Sequence, residues 1–308
     1  MGRGRQSGVT TALLVFLASF FGFSAPVCGH LPTGTFYKAF QFPDRMVPEI
    51  DGDLGDWNVV DPSYIISTED FFDLIREDAE FDLVDFSIRL MIGWNKTGNK
   101  LFIAAQVSDD VHQIDRRPGT AAVRIFQDDD MEVFLDADHS GGQYANFVDV
   151  SPEEQIRLNG ASANHFVIAG PPPDDDFFVN FSAAAWYALP DGPFSMAAYA
   201  LDETPEAGSI MTYEMMLVPF DRLNMDAAFL SKEHLLQENE ILGFNVEFGD
   251  YDHSSELLDA KWSLSGGQNG FRFSERFADL MLMPLEDIFR PTAVKSQSWA
   301  QIKAFFGD

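Results

Sequence analysis

The chain has 308 residues and is strongly acidic, with 49 Asp and Glu against 20 Lys and Arg and a formal net charge of −29. A surface this negative repels nucleic acid and anionic membranes, and it suits neutral ligands and divalent cations. Thirty phenylalanines supply enough apolar area for a core without disulfides. An all-β chain of this length can form a single domain.

Residues 1–29 have the composition of a secretory signal peptide. Arg3 and Arg5 give a basic start, an apolar run covers 12–21, and small residues follow up to Gly29. The apolar run is shorter than the roughly 20 residues that a membrane-spanning helix needs. We therefore expect cleavage after Gly29 and a mature protein that is secreted or periplasmic.

The only cysteine of the chain, Cys28, lies inside this leader. Lipoprotein processing would require a small residue before it, and Val27 occupies that position, so lipidation is not expected. The mature chain would carry no thiol chemistry, and its net charge would be two units more negative.

Residues 30–290 are predicted to form one domain of short strands. In the segment 86–94, apolar residues alternate with other residues, and a turn at 95–99 leads into a second apolar run, which is a hairpin pattern. Strands are predicted at 86–94, 101–107, 131–135, 145–150, 165–169, 178–187, 194–200, 211–218, 242–248 and 277–283. Short helices are predicted within 68–78 and 220–236. The fold class expected is all-β, a two-sheet antiparallel β-sandwich of jelly-roll or immunoglobulin-like type with short connecting helices.

The segment 291–308 is predicted to form an amphipathic C-terminal tail, because Trp299, Ile302 and Phe306 recur at helical spacing. A helix that caps the edge of the sandwich and a docking or sorting tag are both compatible with this pattern.

Five blocks, in order, resemble family 9 carbohydrate-binding modules, which are related to DOMON domains. The segment 47–57, VPEIDGDLGDW, is similar to the family's I-D-G-x-L-x-x-W opening, with one additional residue before the leucine. The other blocks are Trp94 with 101–112, then 127–136, 213–220 and 243–246, with 262–280 as the closing segment. The resemblance covers about 45–285.

The resemblance implies a two-sheet antiparallel sandwich that binds sugar without catalysis. Family members often accompany glycoside hydrolases and commonly hold calcium, and relatives of the fold bind haem. Asn95 replaces the acidic residue that usually follows the tryptophan, and no catalytic domain accompanies the module.

A sugar site needs aromatic faces for the C–H surface of the ring and polar groups for its hydroxyls. Trp57 and Trp94 are predicted to be core residues. The predicted carbohydrate-binding residues are the stacking candidates Trp186, Tyr187 and Trp262 and the polar candidates Arg124, Gln143, Asn245 and Glu247.

Asp136 and Asp138 are predicted to bind calcium, since two carboxylates precede a glycine turn and calcium prefers about six to eight oxygen ligands. The spacing is not that of an EF-hand.

The function predicted is non-catalytic binding of neutral oligo- or polysaccharide, with glycoside hydrolases as possible partner enzymes. One alternative is a glycoside hydrolase, which needs two carboxylates about 5–10 Å apart; no motif identifies such a pair, so no catalytic residue is assigned. A haem-binding module is a second alternative, with Met211, Met215, His112 and His165 available as axial ligands. A structural or adhesive surface protein is a third.

Overall fold

A computed structural model describes residues 30–76, 81–174, 176–204, 208–254 and 257–290. The predicted signal peptide and the predicted C-terminal tail lie outside the described residues. The described strands are β1 (Phe36–Gln41), β2 (Ile66–Ser67), β3 (Phe72–Asp73), β4 (Phe86–Asn95), β5 (Lys100–Asp109), β6 (Asp130–Asp136), β7 (Asn164–Ile168), β8 (Phe178–Asn180), β9 (Ser195–Thr204), β10 (Gly208–Leu217), β11 (Phe220–Arg222), β12 (Lys232–Glu233), β13 (Ile241–Asp250), β14 (Ala260–Ser263) and β15 (Ala278–Leu282). The α-helices are α1 (Ala121–Arg124) and α2 (Pro152–Leu158).

Most strands belong to one large mixed sheet, in the order β8-β7-β6-β13-β15-β1-β4-β5-β10-β9. β14 pairs with both β13 and β3, β2 pairs with β4, and β11 and β12 form a small separate sheet. The predicted β-rich fold is confirmed. The predicted separation into two antiparallel sheets is not, because β1 runs parallel to both β15 and β4 and joins the two halves.

The two halves of the large sheet share one apolar core. The same buried cluster contains residues from both halves. Its fully buried members include Leu90 and Ile92 of β4, Val133 of β6 and Val246 of β13. Since side chains alternate across a strand, the intervening residues of β6 and β13 lie on the opposite face of the sheet. That face carries the polar groups described below.

Hydrogen bonds to Glu214 of β10 hold the segment 47–57 in place. Glu214 accepts hydrogen bonds from the indole nitrogen of Trp57 at 2.8 Å and from the backbone nitrogen of Gly52 at 2.7 Å. Gly52 has a φ of +87°, and a Cβ there would lie 2.9 Å from the carbonyl oxygen of Tyr199, so only glycine fits. Trp57 and Trp94 are both buried, as predicted.

Four local predictions are wrong. The strand predicted at 178–187 is confined to β8, and bends and turns follow it. The segment 145–150 contains no strand; instead Ser151 caps α2 by accepting from the backbone nitrogen of Glu154. The predicted helix at 68–78 is a 3₁₀ turn, Thr68–Asp70, followed by β3. The segment 220–236 forms the β11–β12 pair around a second 3₁₀ turn. Among the described residues, no helix is long and apolar enough to cross a membrane.

Candidate functional site

A cleft of about 930 Å³ lies over the outer face of the sheet formed by β6, β7, β13 and β14. Its volume is at the upper end of the range of about 300–1,000 Å³ that is typical of small-molecule sites. Loops around residues 74–75, 122–126, 145–159, 179–183 and 268–271 form its walls.

One half of the cleft floor is an ion-pair network centred on Glu132. Lys261 from β14 and His165 from β7 both bond to the carboxylate of Glu132 on β6. Burial alone would raise the pKa of Glu132, but Lys261 and His165 outweigh it and lower that pKa to about 2. Glu132 is therefore an anion, held in place by two basic side chains.

The other half of the floor is a hydrogen-bonded group on β13 and β14. The amide nitrogen of Asn245 donates to Glu247 at 3.0 Å, and the Ser263 hydroxyl donates to the same oxygen at 3.2 Å. Burial, together with the charge of Glu132, raises the pKa of Glu247 to about 7, against an opposing effect of Lys261. Glu247 can therefore exist as a donor or as an acceptor near neutral pH.

The walls of the cleft are apolar and partly aromatic. Phe126 is 39% exposed and Phe271 is 49% exposed, and the ring of Phe181 lies 5.9 Å from that of Phe126. At Gly270 the loop that carries Phe271 runs close to the floor, since a Cβ there would lie 3.4 Å from a carboxylate oxygen of Glu247. Exposed rings above hydrogen-bonding groups are the combination that a sugar ring requires.

Two of the residues predicted from sequence lie in this floor. Glu247 lines the cleft, and Asn245 bonds to it. The period-two pattern of β13 located both of them, because it placed them opposite the core residues Phe244 and Val246.

The predicted aromatic residues lie elsewhere. Tyr187 is fully buried and donates its hydroxyl to the carbonyl of Val218 at 2.5 Å, so it is a core residue with no exposed face for a sugar. Trp262 is 2% exposed, on the core side of β14. Trp186 is half-buried, packs edge-on against Phe220, and does not line the cleft.

The remaining polar candidates also lie outside the cleft lining. Arg124 is exposed at the end of α1 and bonds to the side chain of Gln127 at 2.9 Å. Gln143 donates to the backbone carbonyls of Ala145 and Asn146, so it shapes the wall of the cleft through its neighbours.

The sequence interpretation missed the charged floor and the phenylalanine walls. The period-two pattern that located Asn245 also applies to the charged floor. Apolar core residues alternate along the strands with Glu132, His165 and Lys261. No sequence signal distinguishes Phe126 and Phe271 from the other phenylalanines of the chain, many of which are core residues.

The predicted calcium ligands, Asp136 and Asp138, lie at the end of β6 and in the turn that follows it. Both carboxylate oxygens of Asp136 accept backbone N–H groups, from Ser140 at 3.2 Å and Gly141 at 2.8 Å, while Asp138 is exposed. The carboxylate of Asp136 is thus used to close its own turn. Calcium binding by Asp136 and Asp138 stays a prediction.

A second acidic group also has a ligand arrangement that suits a divalent cation. Asp109, Asp250 and Asp252 each place a carboxylate oxygen within 4.8 Å of the others, and Asp252 forms a similar group with Asp85 and Asp110. Each of the first three has one buried oxygen without a hydrogen-bond partner. Burial and the neighbouring carboxylates raise the pKa of Asp250 to about 8 and that of Asp109 to about 7. Unpaired carboxylate oxygens at such distances are suitable ligands for calcium.

The candidate haem ligands do not surround a common cavity. Met211 and Met215 are buried in the core side of β10. His112 contacts Asp129 and the carbonyl of Gly170, and His165 is bonded to Glu132.

Comparison with solved structures identifies the architecture. A family 9 carbohydrate-binding module from Caldicellulosiruptor kristjanssonii in complex with cellotriose superimposes with a TM-score of 0.50 at 14% identity, over 83% of this chain and 98% of that one. The same module in complex with glucose matches with the same score and identity, over 83% of this chain and all of that one. The fold is that of a family 9 carbohydrate-binding module.

The family 9 fold agrees with the resemblance seen in the five sequence blocks. At 14% identity the likeness establishes the architecture and leaves the ligand to be argued from the cleft itself. No protein-family model matches the chain, and no curated protein matches it significantly.

Proposed function

We propose that this protein binds neutral carbohydrate without catalysis, in the cleft over β6, β7, β13 and β14. One observation carries the proposal: the cleft combines exposed phenylalanine rings with a floor of carboxylate, amide and ammonium groups on a single sheet face. The family 9 fold supports it, since the matching structures are carbohydrate-binding modules in complex with cellotriose and glucose.

The two parts of the cleft have different roles in this proposal. Phe126 and Phe271 pack against the apolar C–H surface of a sugar ring and supply most of the buried area. Glu247 and Lys261 then orient the ring through its hydroxyls, as acceptor and donor respectively. Because the ligand is uncharged, the overall negative charge of the protein does not oppose binding.

The protein acts outside the cytoplasm in this proposal, after removal of the leader 1–29. Its ligand there is an oligo- or polysaccharide, and glycoside hydrolases that degrade the same polymer are the proposed partners. Calcium bound by Asp109, Asp250 and Asp252 is the proposed structural cofactor.

Calorimetric titration of the mature chain with cello- and xylo-oligosaccharides tests this function. We expect saturable binding that weakens at least about tenfold in Phe271→Ala, since truncation of a central aromatic contact typically costs about 2 kcal/mol or more. Phe229→Ala is the matched control, because Phe229 is 86% exposed and does not line the cleft. Equal loss in both variants, or heats of dilution for every sugar, would overturn the proposal.

One observation favours a glycoside hydrolase as a second candidate. Glu132 and Glu247 are directly opposed in the β6–β13 pairing, and their pKa values, about 2 and about 7, correspond to an anion and an acid. Release of new reducing ends from a bound oligosaccharide, abolished in Glu247→Gln, would establish hydrolysis. Binding without release of reducing ends would exclude it.

A further inference from the structure

A cluster of two histidines and one aspartate lies beside β15, separate from the cleft. His30, His139 and Asp279 each place a ligand atom within 4.8 Å of the others. The Nδ1 of His30 lies 3.0 Å from Oδ1 of Asp279, and the Nε2 of His139 lies 2.8 Å from the same oxygen. The two imidazole rings are 3.8 Å apart between centroids.

His30 is buried, and the polar side chain beside its ring is the carboxylate of Asp279. His30 is 3% exposed, and neither ring nitrogen makes a hydrogen bond of acceptable geometry. The ring nitrogen of a histidine that carries no proton has a lone pair that can bind a metal ion. A buried polar group without a partner requires an explanation, and an absent ligand is one.

The backbone is arranged to place these rings together. His139 has a φ of +53°, in the left-handed region where asparagine, aspartate and histidine are enriched among non-glycine residues. Gly243 on β13 makes space for the other ring, since a Cβ there would lie 2.8 Å from Cε1 of His30.

We propose that His30, His139 and Asp279 form a binding site for a divalent transition metal, with copper(II) as the preferred ion. Two imidazoles and a carboxylate form an N/O ligand set that suits copper and zinc, whereas calcium prefers oxygen ligands alone. Among first-row divalent ions, copper(II) binds such sites most tightly.

The predicted leader adds a fourth ligand to this site. Cleavage after Gly29 makes His30 the first residue of the mature chain, so its α-amino group is free. The amine and the Nδ1 of one histidine can close a six-membered chelate ring on a single metal ion. With the second imidazole and the carboxylate they give an N₃O set, and four ligands of this kind favour the tetragonal geometry of copper(II).

Titration of the metal-free mature chain, starting at His30 and without a terminal tag, with copper(II) and zinc(II) tests the site. We expect one copper(II) per chain, with an electron paramagnetic resonance spectrum that shows nitrogen coupling, and weaker zinc(II) binding. His139→Asn and Asp279→Asn should each lower copper affinity about 100-fold or more, since even outer partners of metal ligands typically contribute 10–100-fold.

The controls separate this site from adventitious binding. Asparagine tolerates the left-handed backbone, so His139→Asn should keep its turn and an unchanged melting temperature without metal. His253→Ala, which removes an exposed histidine beside Asp252 and Asp259, should leave copper affinity unchanged.

One additional residue before His30 should weaken binding at least tenfold by displacing the amine, and unchanged affinity would contradict the amine as a ligand. Copper affinity that survives both His139→Asn and Asp279→Asn would overturn the whole site.

Discussion

Lys261 is the residue on which the cleft floor depends most, because it is the cation between Glu132 and Asp130. Removing one partner of a buried charge group leaves the other charges uncompensated, which typically costs about 3–5 kcal/mol. We expect Lys261→Met to lower the free energy of unfolding by about 3 kcal/mol or more in urea denaturation. Arg157→Met, at an exposed pair on α2, should change it little, and equal effects would contradict this role of Lys261.

Glu247 should make the stability of the protein depend on pH. Its pKa of about 7 in the folded state exceeds the value of about 4.3 expected in the unfolded chain. Between these values the folded state binds more protons, so this contribution to stability is present at low pH and is lost as pH rises through about 7.

Urea midpoints of the wild type and Glu247→Gln at pH 5 and pH 8 measure this contribution. The decrease between the two pH values should be smaller in the variant, which cannot titrate at this position. An identical decrease in both proteins would show that Glu247 does not titrate in this range.

At the residue scale, the sequence predicted the polar part of the cleft better than its aromatic part. Alternation along β13 fixes which side of the sheet Asn245 and Glu247 face, and this follows from local geometry alone. Whether an aromatic ring is exposed depends on loops that are distant in sequence. Tyr187 illustrates this, because Phe166, Phe220 and the rest of the core bury it completely.

At the element scale, Glu214 attaches the opening segment to β10. Glu214→Ala would leave the buried N–H of Trp57 and the N–H of Gly52 without an acceptor, and a buried donor without a partner costs about 1–3 kcal/mol. We expect a loss of about 3 kcal/mol in the free energy of unfolding. Glu203→Ala on the exposed side of β9 is the control, and comparable losses would contradict the attachment.

Long strands were predicted well and short connections poorly. β4, β5, β10 and β13 each have 10 residues, which is long enough for the period-two pattern to be clear. The segment 220–236 has a helix-like apolar spacing, but pairing of β11 with β12 determines its structure instead. Tertiary contacts of this kind override local propensity.

At the scale of the whole molecule, calcium should stabilise the folded state through the acidic group. Calcium at about 100 times its Kd adds about 2.7 kcal/mol, which corresponds to a rise in Tm of roughly 5–10 °C for a domain of this size. Asp250→Asn should abolish the rise, and Asp138→Asn should preserve it. A rise in Tm that is kept in Asp250→Asn and lost in Asp138→Asn would instead place the calcium ion at Asp136 and Asp138, as the sequence predicts.

The way in which β1 joins the two halves of the large sheet could not be predicted from sequence. β1 pairs in parallel with β15 at residue 279, which lies at the other end of the domain in sequence. It also pairs in parallel with β4 at residue 93, about fifty residues further along the chain. Nothing in the pattern of a single strand indicates the direction of its neighbours. The long strands and their shared core were predictable, because they follow from apolar alternation.

A crystal structure of the mature chain with a saturating cello-oligosaccharide tests the central claim most directly. We expect a sugar ring in the cleft, with its apolar surface against Phe126 or Phe271 and its hydroxyls within hydrogen-bond distance of Glu247 and Lys261. A sugar bound instead beside Trp186, or an empty cleft at saturating ligand, would contradict it.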